Sequence, residues 1–482
     1  MSLTDDRINE IIENTRIEFD GQEHFEVGMK KSSSDEKSNV LGGSFGCFED
    51  MLSAIRACKE ASKKLIDLSI KDRKKIIESM RQAGLSHARN LAMMARDETG
   101  FGVLEHKELK NILASTKTPG VEDIVPNTYT GDDGLTLVEG APFGVIGAIT
   151  PSTNPSATVI NNSISMVAGG NCVVFNPHPS AKGVSIEAIK ILNKAIFDVC
   201  GIENVLTTVA EPSIKTSKEL MENKDVRILV VTGGEAVVDL AMRMGKKVIG
   251  AGPGNPPVVV DDSADVRKAG NDIVRGASFD NNILCIAEKE VFVFESVADE
   301  LLSSMKDSGA YFLNADEVKR VEKKVLEQKK DGGYAPNKKF VGKSANYILE
   351  NSEIEVNKKY SLLICEVDGD HPFVLTEMLM PVLPVVRVKD LDEAIFCALK
   401  AENGCKHTAI MHSKNVSNLT KVARTMDTTI FVKNAPSFAG LGFEGEGYTT
   451  LTISTPTGEG LTSAKDFVRW RRCTLAGEFR IV

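Results

Sequence analysis

Nowhere in its 482 residues does the chain carry an apolar run of the roughly 20 residues that a membrane-spanning helix needs, so no span is expected. It opens polar and acidic, without the charged-then-apolar pattern of a secretory signal. Nine cysteines stand singly between Cys47 and Cys473, none in a CxxC pair. An odd, scattered set argues against a disulfide framework or a zinc site and fits a reducing, cytoplasmic compartment. The seven histidines lack ligand spacing. His407 and His412 lie at odd spacing in a strand pattern, which puts them on opposite faces; both read as structural, and no metal is expected. Basic charge is in deficit: 58 Lys and Arg against 67 Asp and Glu leave a net charge of −9. Binding along a nucleic-acid backbone wants a clustered basic surface, so nucleic acid is not an expected partner. There is no GxGxxG fingerprint, no internal repeat and no long low-complexity tract.

The rest is globular material. Hydrophobic residues at 42% and charged residues at 26% suit a folded chain, and the length calls for two or three domains. Residues 1–20 read as a short amphipathic helix, with Ile8, Ile11 and Ile12 on one face and Asp5 and Asp6 favouring its N-terminal end. Residues 21–44 form a linker, rich in Ser, Lys and Gly from 28 onward, that cannot bury a core. From about 47 to 115 the period is helical, with Phe48, Leu52, Ile55 and Ala61 on one face, then Ile76, Ile77 and Met80. From 143 onward strands alternate with helices. FGVIGAI, NCVVF, NVLTTVA and VRILVV are strands, and helices are expected at 155–168, 183–199, about 214–222 and about 235–245. After 257 the pattern resumes with PVVVDD, EVFVF, LPVVRV, TAIMH and TTIFV. Apolar strands joined by helical crossovers predict parallel sheets covered on both faces, hence an α/β chain with two doubly wound domains.

Cys285 differs from the other cysteines in its setting. It follows Asp280-Asn281-Asn282-Ile283-Leu284, between a helix and the strand EVFVF. A single cysteine is most often a small buried hydrophobe. A polar loop between domains, however, is where a reacting thiolate is reachable, which makes Cys285 the candidate nucleophile. The other eight fall in helix or strand patterns or near the termini. Asn154, in Thr150-Pro151-Ser152-Thr153-Asn154-Pro155, follows FGVIGAI and precedes a helix. Doubly wound sheets bind ligands at that edge. Ser152, Thr153 or Asn154 would serve as a helix cap there, and an amide would equally donate to a developing oxyanion. Thr232-Gly233-Gly234 follows VRILVV and opens a helix. Its glycines either let a phosphate reach the helix N-terminus or make a plain tight turn. The run from Gly250 to Pro257 is too rich in Gly and Pro for regular structure and reads as a hinge or a site wall.

From about residue 43 onward the chain resembles the aldehyde dehydrogenase superfamily, in its CoA-acylating branch. Within that branch it resembles the propionaldehyde dehydrogenases of propanediol-utilising bacterial microcompartments. Five long blocks carry the resemblance: APFGVIGAITPSTNPSATVINNSISM, KKVIGAGPGNPPVVVDD, GASFDNNILCIAEKEVF, HTAIMHSKNVS and STPTGEGLTSAKDFVRWRRC. It implies that Cys285 is the catalytic nucleophile and that Asn154, with the Cys285 backbone N–H, forms the oxyanion hole. It puts Thr150, Pro151 and Ser152 against the nicotinamide half of NAD, and Thr232, Gly233 and Gly234 at the pyrophosphate. It assigns Glu377 to the nicotinamide ribose and His178 to the cofactor-binding set. It implies a dinucleotide-binding domain at 45–127 and 143–250 and a catalytic domain at 251–461. The segments 128–142 and 462–482 are then an oligomerisation element of a homodimer or homotetramer.

Two departures from the hydrolytic branch matter. The glutamate of an ELGGK-type block aligns with Gly250, so the base that would activate water is missing. Asn176 and Pro179 replace the lysine and glutamate that grip the adenosine ribose, so these residues do not exclude NADP. The implied reaction is oxidation of a short-chain aldehyde, propionaldehyde first, through a Cys285 thioester that is passed reversibly to coenzyme A. The alternatives are a hydrolytic enzyme giving free acid and an inactive microcompartment scaffold. By analogy with N-terminal extensions in related enzymes, residues 1–20 are expected to dock on a microcompartment shell protein.

Overall fold

The computed structural model describes residues 45–330 and 332–481. The helix expected at 1–20 and the linker at 21–44 lie outside the described residues.

Six strands form the first sheet, in the spatial order β1 (Cys47–Phe48), β6 (Leu206–Val209), β5 (Cys172–Pro177), β4 (Val145–Thr150), β7 (Val226–Thr232) and β8 (Lys247–Ala251). Every pairing is parallel. β4 and β5 are buried along their whole length, which is why they read as unbroken apolar runs rather than alternating ones. Chain order runs outward from β4 through β5 to β6, then restarts on its other side with β7 and β8. The chain therefore reverses direction across the sheet between β4 and β7, and such a switch point opens a ligand crevice at the C-terminal strand ends.

The second sheet has seven strands, again all parallel: β11 (Ala310–Phe312), β14 (Leu362–Glu366), β15 (Val382–Val388), β10 (Glu290–Phe294), β9 (Pro257–Val260), β16 (Thr408–His412) and β17 (Ile430–Lys433). A third, antiparallel sheet sets β3 (Gly134–Pro142) between β2 (Asn127–Gly131) and β20 (Val468–Ala476). Short antiparallel pairs, β12 (Leu326–Gln328) with β13 (Tyr334–Pro336) and β18 (Ile453–Ser454) with β19 (Gly460–Leu461), complete the strands.

The helices expected at 155–168 and 214–222 are found at those bounds, and 183–199 extends by one residue at each end. The helix expected to reach 245 stops at Met242, ahead of Gly245 with its φ of 66°. Three expectations need correcting. Phe48 lies in β1, before the first helix, Met51–Leu65, because the Asp50 carboxylate caps that helix by accepting the Ser53 N–H at 2.8 Å. Leu52 is 50% exposed; the buried face is Met51, Ala54, Ile55, Cys58, Ala61 and Leu65. The Gly/Pro run is also shorter than it reads: Gly250 and Ala251 complete β8, and Pro257 opens β9, where a first-position proline costs no ladder hydrogen bond.

Among the described residues, no helix is long and apolar enough to cross a membrane, and no group of three or more His, Cys, Asp or Glu is gathered to hold a metal ion.

Candidate active site

The C-terminal edge of the first sheet contributes Thr150 at the end of β4, His178 just past β5 and Thr232 at the end of β7. The N-terminal edge of the second contributes the segments leading into β9, β10, β15 and β16: Gly254, Cys285, Glu377 and His407. These four converge. A Cβ built on Gly254 would lie 2.7 Å from the Cys285 carbonyl oxygen and 2.9 Å from the His407 ring, so only glycine lets them close up. The Glu377 carboxylate accepts the Gly254 N–H.

Cys285 is half-buried at the start of this cluster. Burial pushes its thiol up to about 12, the nearby Glu377 charge adds to the rise, and the Lys289 ammonium opposes it. Lys289 is itself fully buried. Its Nζ donates to the Asn282 carbonyl at 2.8 Å, the Asn282 side-chain oxygen at 2.6 Å and the Leu284 carbonyl at 3.2 Å, bracing the turn that carries Cys285. Burial raises Glu377, with Lys289 opposing.

In the sequence, Asp280-Asn281-Asn282 reads as part of a polar loop between domains, where a thiolate is reachable. The structure turns this segment inward instead. Asp280 and Asn282 are buried, and all three residues have left-handed φ values of 48°, 53° and 64°. Asp280 accepts the Val103 N–H at 2.7 Å and pairs with Lys107 and Lys110. The two lysines outweigh desolvation and hold its carboxyl down at about 2. The polar triplet is therefore an internal brace for the Cys285 turn, which is why its charge escapes solvent.

Asn154 occupies the N-cap position of the helix Pro155–Ala168, yet its side chain makes no capping hydrogen bond. It is bound instead to Lys110, whose Nζ donates to Asn154 Oδ1 at 2.5 Å. Of the two uses the sequence allowed for this amide, the cap is excluded. Lys110, Lys107 and Lys289 were missed by sequence reasoning. HKELKN has the look of an ordinary exposed helix turn, yet Lys107 to Ile112 are all buried in the helix Leu104–Lys117. Cys405 also departs from expectation, lying in a turn rather than in a helix or strand.

The remaining candidates line the crevice at the switch point. Thr150 is buried with its hydroxyl unpartnered among the described residues. Pro151 and Ser152 follow it, half-buried. Thr232 meets the Thr452 hydroxyl at 3.0 Å. A Cβ on Gly233 or Gly234 would meet nothing within 4 Å, so open space lies over the turn before the helix Glu235–Met242. His178 is exposed, its Nδ1 accepting the Ser180 N–H at 3.2 Å. Asn176 is tied away from the crevice by Ser217 and Thr216. An orphan hydroxyl at one strand end and unobstructed backbone amides at the next suit a dinucleotide laid across the edge. Gly250 is packed: its N–H reaches the Thr457 hydroxyl at 3.0 Å, and a Cβ would lie 2.8 Å from Val238 Cγ1.

The aldehyde dehydrogenase family model matches residues 43–448. An acetaldehyde dehydrogenase (acetylating) of Escherichia coli is 49% identical over 95% of this chain and 97% of its own length. A propanal dehydrogenase (CoA-propanoylating) of Salmonella typhimurium is 49% identical over 90% of this chain and 93% of its own. Among solved structures, the Rhodopseudomonas palustris propionaldehyde dehydrogenase, with bound CoA and an acylated cysteine, superposes with a TM-score of 0.88 at 47% identity, covering 90% of this chain and 99% of that one. The propionaldehyde dehydrogenase of the Clostridium phytofermentans fucose-utilisation microcompartment gives 0.88 at 45% identity, over 91% and 100%. This chain belongs to the aldehyde dehydrogenase family, in its CoA-acylating branch.

Proposed function

We propose that the enzyme oxidises a short-chain aldehyde, propionaldehyde foremost, with Cys285 as nucleophile, and passes the acyl group to coenzyme A in a reversible reaction. The observation that carries this reading is the gathering of Lys289, Glu377 and the Lys110-bound Asn154 around the Cys285 turn, with glycine rather than glutamate at 250. Thr150, Pro151, Ser152, His178, Thr232, Gly233, Gly234 and Glu377 would hold NAD, and NADP remains compatible with Asn176 and Pro179. When bound, the nicotinamide supplies the hydride acceptor.

The chain's own groups do the rest. Cys285 loses its proton and its sulfur attacks the aldehyde carbon. The carbonyl oxygen, gaining negative charge, meets the Asn154 amide and the Cys285 N–H. Once the carbon is oxidised, a thioester remains on Cys285. No carboxylate extends from residue 250 to activate water, so the thioester persists until the CoA thiolate attacks it and Cys285 leaves.

Acetaldehyde is the second substrate reading, supported by the acetylating relative at the same 49% identity. One methylene gives a pocket only about 10- to 200-fold of discrimination. The test is a steady-state survey of C2 to C4 aldehydes with NAD or NADP, with and without CoA. Acyl-CoA product highest with propionaldehyde supports the reading. Free acid formed equally well without CoA overturns it.

We also propose that residues 1–20 dock the enzyme on a microcompartment shell and that the chain works as a homodimer or homotetramer. Fluorescent protein fused to residues 1–42 should form puncta in a shell-making host. Puncta that survive Ile11→Asp with Ile12→Asp would overturn the docking role.

A further inference from the structure

Asn154 has an amide that can be turned either way. Its use at an oxyanion depends on the nitrogen, not the oxygen, facing the reacting carbon. Nothing in the helix it precedes fixes that choice, since it makes no cap bond. The residue that touches it is Lys110, one helix away, with Nζ 2.5 Å from Asn154 Oδ1. An ammonium has donors only, so it can meet the oxygen end and never the nitrogen end. The Asn154 Nδ2 is thereby left as the free donor end of the amide, and it donates to the Thr153 hydroxyl at 3.3 Å, a bond that uses at most one of its two N–H groups.

Lys110 is itself held. Its other contact is the fully buried Asp280 carboxylate, which also takes Lys107 at 3.3 Å and the Val103 N–H at 2.7 Å. Asp280 sits five residues before Cys285 in the left-handed turn. A Cβ on Gly102 would run into the Asp280 carboxylate, so the glycine makes room for it. One continuous set of contacts thus joins the Cys285 turn, through Asp280 and Lys110, to the Asn154 amide. A charged donor on an amide oxygen also withdraws electrons from its nitrogen and strengthens the N–H as a donor.

We propose that Lys110, held by Asp280, is a positioning residue for the acylation step: it orients and polarises the Asn154 amide toward the oxyanion formed at Cys285. This rests on the reading of Asn154 as an oxyanion donor. Burial brings the Lys110 ammonium down to about 8 with Asp280 opposing, which is consistent with a charge kept only by its partners.

The experiment measures the acylation step alone, as the burst of NADH on mixing holoenzyme with propionaldehyde in the absence of CoA. It compares Lys110→Met, Asn154→Ala and the double variant, alongside melting temperature and NAD affinity. Lys107 still pairs with Asp280 in Lys110→Met, so the carboxylate keeps a cation. Asn154→Ala should slow the burst by roughly 100- to 1,000-fold, the usual loss for one oxyanion donor. Lys110→Met should slow it by roughly 10- to 100-fold with aldehyde KM within about twofold, because the loss falls on the transition state. The double variant should be no more than about threefold slower than Asn154→Ala, since Lys110 then has nothing to orient. A Lys110→Met burst at the wild-type rate, even with a lowered melting temperature, overturns the proposal, as do losses that multiply in the double variant. Should Lys110→Met not fold, Lys110→Leu, which likewise has no donor, is read by the same criteria. If Asn154→Ala keeps its rate, the oxyanion reading falls first; if only Lys110→Met does, that reading stands and this one fails.

Discussion

Cys285, proposed above as the nucleophile, has surroundings that favour the thiol over the thiolate. Burial and the Glu377 charge both raise it, and Lys289 only partly offsets them. In the enzyme without cofactor, the thiolate fraction should therefore climb about tenfold per pH unit between pH 7 and 9, well below the value near 12. Alkylation of Cys285 by iodoacetamide, followed on its own peptide by mass spectrometry, should climb with it. Glu377→Gln removes a negative neighbour, lowers the thiol and should speed alkylation several-fold. Burial raises Glu377 as well, so its charge is absent at low pH and the gain should grow toward alkaline pH. Equal rates in the two proteins at pH 9 would show that Glu377 does not act on the thiol. Cys285→Ala should abolish CoA-dependent oxidation while leaving NAD binding intact. Cys172→Ala, buried at the start of β5, should lower only the melting temperature.

At the level of elements, strands and crossover helices announce themselves through local pattern, because a strand buried on both faces must be apolar throughout. Val145–Thr150 and Cys172–Pro177 were readable for that reason. Cys285 and Asn154 stand out as candidates because of where they fall relative to such elements. Lys110, Asp280 and Lys289 were not. Their partners lie 170 residues apart in the chain in one case, and a lysine that ends in a buried ion pair has the same local pattern as one in water. Glycine roles were hidden for the same reason. Gly276 lies inside the helix Val266–Ser278, where alanine would ordinarily stabilise by about 1 kcal/mol. A Cβ there would instead run into the Glu288 carboxylate, which is buried and accepts the Ser437 N–H and hydroxyl at 2.7 Å each. Gly276→Ala should therefore lower the melting temperature against the propensity rule. Calorimetry showing a rise would mean that Glu288 moves aside without cost.

At the scale of the molecule, the relation between copies leaves little trace in one chain's periodicity, but the third sheet shows where to look. β20 pairs with β3 from Val468 against Pro142 to Ala476 against Gly134, and only Val468 of its nine residues is buried. Residues directly opposite share a face, so Leu135 with Leu475 and Leu137 with Cys473 form an apolar stripe down one side. Leu475 is 46% exposed; Trp470 and Tyr129, paired with Gly140 and Thr136 and so on the opposite face, stand 46% and 62% exposed. A three-stranded sheet with an uncovered apolar face is marginal alone and is expected to be covered by a partner. The long unpaired edge of β20 is a further template for another chain. A second copy of this chain would cover both, in keeping with the oligomerisation role proposed for 128–142 and 462–482. Leu135→Glu with Leu475→Glu places two carboxylates in the stripe without touching a backbone hydrogen bond. Light scattering on the purified variant should then report the mass of a single 482-residue chain where the wild type reports a multiple of it. A variant of unchanged mass, with circular dichroism confirming that it is folded, would place the contact between copies elsewhere on the molecule.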